Sequence, residues 1–547
     1  MNTKKAPPLE SRVEVINKLK TDEFDVLVVG GGITGAGIAR DATLRGYSVA
    51  LIEKNDFGSG TSSGSSKLVH AGLRYVAQKE FKLVRQASKE RKKILDMAPH
   101  LTQPVQFLIP LYSDLTTKKS KIRLGVWLYD LLANFRNHTF HKIMNSKKGR
   151  ELLPTPLREE SFEGVALYGD GQMDDARLTL DVILSAEEHG ALVLNYCQAE
   201  AYNEDPQEKI QEATVIDKLT KNRFILKAKS IIIACGHWTD EIVQGIDSSA
   251  IKRIRPTKGI HVITRRFYDN DYAIVVPMED GRIMFVIPFG KYQLVGTTDT
   301  NYSGDYENVP VTEEDVEYII NGINFIFPGI LRKEDIVSAY SGIRPLISSV
   351  TAKSEGKISR EHEIFEIKPR ILAIAGGKYT TYRSMAKEVI DSLSRILEKK
   401  GKCKTDKVPL YGWISTKRKH WDSWVIVALE NLTIRHQLPE DVAKHLLRYG
   451  KNYQKICAEI TLQPKLKERI SDNRPYIFAE LDYFIKYEKT VSLRDVMLRR
   501  TQIQLSEEQG LDCIEPIAEH MGQILNWSSQ KIRKEIEDYK NKLVWKA

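Results

Sequence analysis

Short apolar runs and a compact helical pattern alternate at the start of the chain. Residues 24–29 form an apolar run that ends in glycines, which predicts a buried strand. Residues 33–45 have the pattern of a compact helix that stops at Gly46, and residues 48–52 predict a second strand. A strand, a helix and a strand in this order form a β-α-β unit, which implies a parallel sheet in an α/β fold.

The middle of the chain alternates between strand-like and helical stretches. Buried strands are predicted at 230–234 and 371–375, and each is followed by glycine. Residues 272–276 and 283–287, which lie between them, suit an antiparallel sheet beside the main one. The pattern therefore predicts a nucleotide-binding sheet interleaved with a second, antiparallel sheet.

The pattern of residues along the chain changes after about residue 410, where glycines become sparse. Helical patterns follow one another at 441–449, 480–487, 493–500 and 530–543. The predicted organisation is a mobile lead-in at 1–22, the two interleaved domains at 23–411, and a helical C-terminal domain at 412–547.

Composition fits a soluble globular protein of two or three packed units, since 42% of its 547 residues are hydrophobic and 28% are charged. The net charge is +10 and the pI is about 9.0. A basic protein suits an anionic substrate, an acidic membrane surface or nucleic acid, and the charge alone does not choose among them.

The five cysteines are odd in number, far apart and without a CxxC pair. This spacing argues against disulfides and zinc, so we expect a reducing compartment and no metal site. The N-terminus lacks the apolar core of a signal peptide, and no run approaches the roughly 18 apolar residues of a membrane span. We therefore expect a cytoplasmic protein that meets at most the surface of a membrane.

A glycine-rich turn follows the first strand and opens the first helix. It contains GxGxxG as Gly30, Gly32 and Gly35. These glycines allow a tight turn, a close approach of a diphosphate to the backbone, and close packing of helix on strand. Glu53 ends the second strand, where a carboxylate accepts hydrogen bonds from an adenosine ribose. The unit predicts a dinucleotide site but does not separate FAD from NAD.

Several motifs in order resemble those of FAD-dependent, quinone-linked glycerol-3-phosphate dehydrogenases. The resemblance extends over roughly residues 24 to 505, with departures such as Ala71 and Cys235 and a divergent stretch at 204–222. The motifs are GTSSGSSKLVHAGLRY at 60–75, DDARL at 174–178, GTTD at 296–299, YSGIRPL at 340–346, GGKYTTYR at 376–383 and RRT at 499–501. The resemblance implies a Rossmann-like FAD-binding domain with a D-amino-acid-oxidase-like antiparallel substrate domain.

The resemblance also implies the reaction, which is oxidation of sn-glycerol 3-phosphate to dihydroxyacetone phosphate with FAD as the cofactor. Such a site must hold a phosphate, and the planar fork of arginine binds two oxygens at once. The expected substrate-binding residues are Arg74, Tyr75, Arg344 and Lys378, and Arg344 and Lys378 are also expected to act in catalysis.

The base that takes the hydroxyl proton is less defined by the sequence. His261 is the first candidate, because histidine titrates near neutral pH. His70 is an alternative, with packing or contact with the flavin as its other interpretation. A cation at Arg344 would lower the pKa of the alcohol without being the base.

Cofactor contacts are expected from the glycine turn, from the serine-rich segment after Glu53, and from glycines that follow later strands. From the glycine turn to the end of the serine-rich segment, the expected cofactor-binding residues are Gly30, Gly32, Gly35, Glu53, Thr61, Ser62, Ser63, Ser66, Lys67, Leu68 and His70. Later in the chain, the expected cofactor-binding residues are Gly236, Gly376, Gly377 and Thr380. A helix start after Gly377 would direct N–H groups at the flavin.

Only one GxGxxG follows a strand and no iron–sulfur spacing occurs, so we expect a diffusible electron acceptor, either quinone or oxygen. The resemblance implies a membrane quinone. Residues 118–148 combine basic side chains with aromatic and aliphatic ones, typical of a helix in the headgroup region of an anionic membrane. A helix packed on the core with a basic outer face is the other interpretation. With the membrane interpretation, the cytoplasmic protein would lie on the inner face of the cell membrane. The sequence leaves open whether the protein forms a homodimer.

Three rival functions follow from the same sequence. A glycerol-3-phosphate oxidase shares the motifs but typically has a large insertion, which is not evident here. An FAD-binding protein acting on RNA would suit the charge, but interleaved aromatic residues are not evident, so no nucleic acid partner is expected. An amino-acid oxidase would need a binding site for the substrate carboxylate and would not need one for a phosphate.

Overall fold

The computed structural model describes residues 11–134, 137–205, 210–348 and 362–545; the side chains of Arg74, Ala77 and Asp205 also lie outside the description. Its strands are β1 Glu23–Phe24, β2 Val26–Val29, β3 Val49–Ile52, β4 Leu68–Val69, β5 Thr102–Tyr112, β6 Lys142–Asn145, β7 Phe162–Met173, β8 Leu192–Leu194, β9 Cys197–Asp205, β10 Ile210–Asp217, β11 Arg223–Ala228, β12 Ile231–Ile233, β13 Ile254–Arg265, β14 Ala273–Pro277, β15 Ile283–Phe289, β16 Tyr292–Gly296, β17 Thr300–Asn301, β18 Ile336–Ile347, β19 His362–Lys368 and β20 Ile371–Gly376.

The helices are concentrated toward the C-terminus. They are α1 Arg12–Thr21, α2 Ile33–Leu44, α3 Arg74–Ala77, α4 Phe81–Met97, α5 Lys119–Leu132, α6 Ser146–Leu152, α7 Asp175–Glu188, α8 Thr239–Ile246, α9 Glu313–Ile326, α10 Tyr382–Ile396, α11 Trp421–Glu430, α12 Glu440–Leu446, α13 Tyr453–Leu462, α14 Phe478–Tyr487, α15 Leu493–Asp495, α16 Ile514–Leu525 and α17 Ser529–Asn541. The described residues after β20 contribute helices and no named strand, as predicted for a helical C-terminal domain.

The nucleotide-binding sheet has the order β19-β20-β12-β2-β3-β8. All its pairs are parallel except that of the edge strand β19. Its central strands are buried throughout because α2, α7 and α10 pack on one face and a small sheet, β1-β11-β10-β9, covers the other. The predicted β-α-β unit is confirmed within two residues at each end.

The second sheet has ten strands and supplies the substrate side of the molecule. Its main path is β17-β13-β16-β15-β14-β5-β7-β4, with β18 paired to β13 and β6 to β7. The pairs are antiparallel except β14 with β5. The predicted strands at 272–276 and 283–287 correspond to β14 and β15, and the predicted fold class is confirmed.

A buried cluster of charges joins the C-terminal helices to the nucleotide-binding domain. Asp56, just after β3, accepts hydrogen bonds from Arg499 Nε at 2.6 Å and from Arg500 Nη1 at 2.7 Å. Arg177 of α7 binds Glu488 at 2.5 Å. Charges this deeply buried are stable only when they are paired, so the cluster ties the two domains together.

Two expectations about local structure need correction. The predicted mobile lead-in contains helix α1, in which Val15 and Leu19 are buried one turn apart and Arg12 pairs with Asp217 at 2.5 Å. Within residues 118–148 the helix α5 ends at Leu132, and a strand and a second helix follow. Phe135 and Arg136, which belong to the predicted aromatic and basic pattern of this stretch, lie outside the described residues. The domain boundaries at 22 and 411 stay predictions.

Candidate functional site

The glycine turn is built by contacts that exclude any side chain. Gly30 has φ +113° at the end of β2, and a Cβ there would lie 2.5 Å from the carbonyl oxygen of Ala234. A Cβ on Gly35 would lie 1.9 Å from the carbonyl oxygen of Gly30. Gly32 immediately precedes α2, so the first N–H groups of that helix are directed at the turn.

Glu53 lies where the sequence predicts the ribose carboxylate. Its side chain accepts hydrogen bonds from the N–H of Gly31 at 2.7 Å and from the N–H of Asn55 at 2.9 Å. Burial raises the pKa of the carboxyl, and these two N–H groups oppose that rise. The side chain is therefore fixed beside the glycine turn, at the end of β3.

A cavity of about 390 Å³ lies between the nucleotide-binding sheet and the ten-stranded sheet. Most of the predicted site residues line it. They are Gly30, Gly32, Glu53, Thr61, Ser62, Ser66, Leu68, His70, Tyr75, Gly236, His261, Arg344, Gly376, Gly377, Lys378 and Thr380. Residues separated by more than 300 positions in the sequence thus share one cavity.

The serine-rich segment passes between the two sheets. The hydroxyl of Ser62 accepts a hydrogen bond from the N–H of Ile33 at 2.9 Å, and Thr61 donates to the carbonyl of Ile343 at 2.6 Å. A Cβ on Gly342 would lie 2.2 Å from the carbonyl oxygen of Gly64, so the segment contacts β18 backbone to backbone. Both contacts place the segment against the start of α2 and against the substrate sheet.

Three predicted residues are placed differently from the rest, and the side chain of a fourth is not described. Gly35 packs inside the turn, and Ser63 does not line the cavity. The ammonium of Lys67 is buried against Asp175 of the DDARL motif at 2.6 Å, so it supports the segment rather than facing the cavity. Arg74 begins helix α3, but its side chain lies outside the described residues.

Arg344 is held by the GTTD motif. Its guanidinium donates to Thr297 Oγ1 at 2.9 Å, to the carbonyl of Thr298 at 3.2 Å and to Asp299 Oδ1 at 3.2 Å. It lies over Gly259 of the paired strand, where a Cβ would be 2.3 Å from Nη2. Gly259 thus leaves the space in which a planar cation faces the cavity.

His261 shares that face of β13, since alternate residues of a strand point the same way. Its Nε2 lies 2.8 Å from Ser66 Oγ, and its ring stacks on Tyr340 at 4.9 Å. Within the described part of the chain, its Nδ1 meets no hydrogen-bonding group. Burial, then the charges of Arg344 and Lys67, lower its pKa well below the usual value, so the ring is neutral at neutral pH.

Lys378 brings a second cation to the cavity from the GGKYTTYR motif. Its ammonium lies 3.3 Å from the centroid of the Tyr75 ring, a cation–π contact. Gly376 and Gly377 before it have φ of +73° and +94°, which bend the chain back after β20. Helix α10 begins at Tyr382, after a 3₁₀ turn at Tyr379–Thr381 that follows Lys378.

Some lining residues were not singled out from the sequence. They are Lys54 and Trp238 beside the glycine turn and Cys197, Gln198 and Ala199 of β9. Lys54 follows Glu53 directly and Trp238 closes the ACGHW stretch at 234–238, so proximity to known motifs was the available signal. The contacts of β9 depend on how the small sheet packs, for which the sequence offered no signal.

These residues fit a flavin dinucleotide. Gly30 and Gly32 line the cavity, and a Cβ on Gly32 would meet only Ser62 Oγ, at 3.1 Å, so the space beside this glycine is open to a diphosphate. The buried Glu53 carboxylate lies beside the turn and also lines the cavity, as do the cations Arg344 and Lys378. Among the described residues, no cluster has the composition of a metal site.

Fold and site together define an FAD-dependent oxidoreductase. The family model described as FAD dependent oxidoreductase, DAO, matches residues 25–380. A second model, the C-terminal domain of alpha-glycerophosphate oxidase, matches residues 403–532. The cofactor of this class is FAD.

Proteins with similar sequences identify the family within this class of oxidoreductases. An aerobic glycerol-3-phosphate dehydrogenase of Staphylococcus aureus (strain MRSA252) is 35% identical over 538 residues, which is 96% of this chain and 95% of the relative. The chain belongs to the family of FAD-dependent glycerol-3-phosphate dehydrogenases. The resemblance predicted from the motifs is confirmed.

Solved structures share the fold. A glycerol-3-phosphate dehydrogenase from Bacillus halodurans complexed with FAD has a TM-score of 0.81 at 28% identity, with 97% of each chain covered. An L-alpha-glycerophosphate oxidase from Mycoplasma pneumoniae with FAD bound has a TM-score of 0.54 at 17% identity, over 70% of this chain and 97% of the other. At that identity the second likeness concerns the fold alone.

Proposed function

We propose that this protein oxidises the C2 alcohol of sn-glycerol 3-phosphate to dihydroxyacetone phosphate and passes the electrons to a membrane quinone. FAD, when bound, accepts the C2 hydrogen as hydride, while the hydroxyl proton goes to a base of the protein. The observation that carries the proposal is the convergence of Arg344, Lys378 and His261 on one cavity with the nucleotide-binding turn.

Arg344 and Lys378 supply the charge that a small phosphorylated alcohol requires. The three hydrogen bonds from Arg344 to residues 297–299 orient its planar fork, and Gly259 leaves the adjacent space open. An oriented guanidinium binds two phosphate oxygens at once. Tyr75 lies against the Lys378 ammonium and limits where that charge can move.

His261 has the state required of a base. A neutral imidazole has a free lone pair, and the contact with Ser66 Oγ together with stacking on Tyr340 fixes its ring. The same cations that lower its pKa would also stabilise the alkoxide as the proton leaves. His70 lines the cavity too, with its carbonyl accepting a hydrogen bond from Thr380 at 3.1 Å.

The quinone acceptor is supported by a surface suited to a membrane. Leu124, Trp127 and Leu131 lie three and four residues apart on α5 and are 59%, 46% and 41% exposed. Exposed basic side chains surround them at Lys118, Lys119, Lys121 and Arg123. Val126 and Tyr129 on the opposite side are buried, so α5 packs on the core with one face and presents an apolar, basic face outward.

No helix in the described parts of the chain is long and apolar enough to span a bilayer. Attachment through α5 would be reversible and favoured by anionic lipids. Sedimentation with phosphatidylglycerol vesicles tests this part of the proposal. The double variant Leu124→Gln, Trp127→Gln should lose most of the binding, and Ile434→Gln, at a position elsewhere that is more exposed, should not. Equal binding of both variants would exclude α5 as the attachment surface.

The reaction itself is tested by the absorbance of the bound flavin. Anaerobic addition of glycerol 3-phosphate to the holoprotein should bleach the flavin band, and glycerol should not. Arg344→Ala should stay yellow while KM rises and kcat falls severely. A flavoprotein that glycerol 3-phosphate does not reduce would refute the proposal.

The acceptor is tested in the oxidative half of the cycle. Reduced protein should reoxidise rapidly with a short-chain quinone and release little hydrogen peroxide in air. Stoichiometric peroxide with slow quinone reduction would instead assign a glycerol-3-phosphate oxidase.

A further inference from the structure

One side chain bridges the nucleotide-binding groove. Lys54 follows Glu53 at the end of β3, and its ammonium lies 3.7 Å from the ring centroid of Trp238, just after β12. In the sheet, β2 lies between β3 and β12, and the glycine turn follows β2. The contact therefore connects the two strands on either side of the turn that receives the diphosphate. Both side chains line the cavity.

A segment of the substrate domain reaches this contact from outside. Residues 302–309, here called the strap, connect β17 with the approach to α9. Glu307 in the strap accepts hydrogen bonds from the Lys54 ammonium at 2.5 Å and from the Asn55 amide at 3.0 Å. The ring of Tyr306 meets the His237 ring edge-on at 5.1 Å and lies 6.4 Å from that of Trp238.

The strap is organised by its own hydrogen bonds. Asp305 accepts from the N–H of Glu307 and from the Asn308 amide, each at 2.8 Å. Tyr302 donates to the carbonyl of Asp305 at 3.0 Å, and Ser341 of β18 donates to the carbonyl of Val309 at 2.7 Å. Glu307 is thus presented to Lys54 by a loop that is anchored to the substrate sheet.

We propose that Lys54 and Trp238 form a clasp over the diphosphate-binding turn that retains FAD, and that Glu307 is the positioning residue that holds the clasp shut. Withdrawal of the dinucleotide from the groove requires the ammonium to leave both the Trp238 face and the Glu307 carboxylate. The Lys54 and Glu307 side chains are 27% and 47% exposed, so salt screens the pair. FAD release should therefore accelerate as salt is raised.

The test measures the rate of FAD release from the holoprotein, followed as the rise in flavin fluorescence after dilution. Glu307→Gln should release FAD about tenfold faster at low salt, as expected for loss of a partly buried pair and a weaker cation–π contact. The salt dependence seen with the unmodified protein should largely disappear. Glu313→Gln removes an exposed pair with Lys333 at 2.7 Å on the same domain and should behave like the unmodified protein.

A double-variant cycle separates a clasp from two unrelated effects. Lys54→Met keeps the apolar stem and removes the charge, so it should also release FAD about tenfold faster. The variant with both changes should release FAD no faster than Lys54→Met alone, because Glu307 acts through Lys54. The proposal would be overturned if the double variant released FAD at a rate raised by the product of the two single-variant factors. It would also be overturned if Glu307→Gln released FAD at the rate of the unmodified protein. The experiment requires no substrate, so its outcome is independent of the reaction proposed above.

Discussion

A methyl group added at Gly259 should displace Arg344 without unfolding the protein. The three atoms closest to a Cβ at this position all belong to the Arg344 guanidinium, with Nη2 at 2.3 Å and Cζ and Nη1 at 2.7 Å. Ordinary contacts of this kind are about 3.5 Å, so in Gly259→Ala the guanidinium must move by about 1 Å. The obstacle is the end of a flexible side chain, so we expect the side chain and not the strand to shift.

The expected functional cost follows from that displacement. A shift of about 1 Å exceeds the roughly 0.5 Å tolerance of a positioned binding group. It also breaks the alignment with Thr297, Thr298 and Asp299. Misplacement of this size costs about 100-fold, which corresponds to about 2.7 kcal/mol of transition-state stabilisation. We therefore expect kcat/KM for glycerol 3-phosphate to fall by about two orders of magnitude.

Steady-state kinetics, the flavin content and the thermal midpoint together test this prediction. The flavin content should be unchanged and the midpoint should move by a few degrees at most, because alanine is tolerated in a strand. Gly245→Ala in α8, where a Cβ meets nothing within 4 Å, is the matched control and should keep full activity. Near-normal kcat/KM in Gly259→Ala would remove Arg344 from the substrate site, and loss of folding would refute the premise that the side chain yields.

Three further predictions concern buried ionisable side chains. Asp56→Asn leaves Arg499 and Arg500 without their carboxylate and should lower the free energy of unfolding by about 3–5 kcal/mol in urea titration; a loss below about 1 kcal/mol would contradict the inter-domain role. The pKa of His261 lies well below its usual value, so kcat/KM should show no acid limb from this residue near pH 6.5. The free energy of unfolding should decline as the pH falls below about 6.5, because the unfolded chain binds the proton more readily than the folded protein does. This decline should be smaller in His261→Gln. Glu53→Gln should weaken FAD binding about tenfold in a fluorescence titration, because an amide accepts hydrogen bonds from a ribose less strongly than a carboxylate does; unchanged affinity would exclude Glu53 from the ribose site.

Local patterns predicted the elements that local forces form. The β2–α2–β3 unit was located within two residues because its apolar runs are short, fully buried and bounded by glycines. Helix α1 was not predicted, because its polar surface masks the two buried positions, Val15 and Leu19, that pack on the small sheet. The predicted helix over residues 118–148 was too long, because Lys142–Asn145 pair with β7 as strand β6, and that partner is distant in the sequence.

Motifs located the candidate site residues, but their partners are distant in the sequence. The spacing of the glycines and Glu53 was enough to predict a dinucleotide site, because a dinucleotide imposes the same local geometry on any chain that binds it. FAD and the family were predicted from the resemblance of the later motifs. The position of Lys67 was not predictable, because a lysine in a cofactor-binding segment faces the cavity or a buried carboxylate depending on a residue 108 positions away.

The sequence by itself determined the β2–α2–β3 unit, the helical C-terminal region, the dinucleotide site and the family motifs, since each of these depends on residues close together along the backbone. Only the tertiary structure decided that Thr297, Thr298 and Asp299 orient Arg344 above Gly259, that Asp56 binds two arginines of the C-terminal domain, and that Glu307 reaches Lys54. Those contacts join residues 45 to 444 positions apart, and their geometry is set by how the sheets and helices pack against one another.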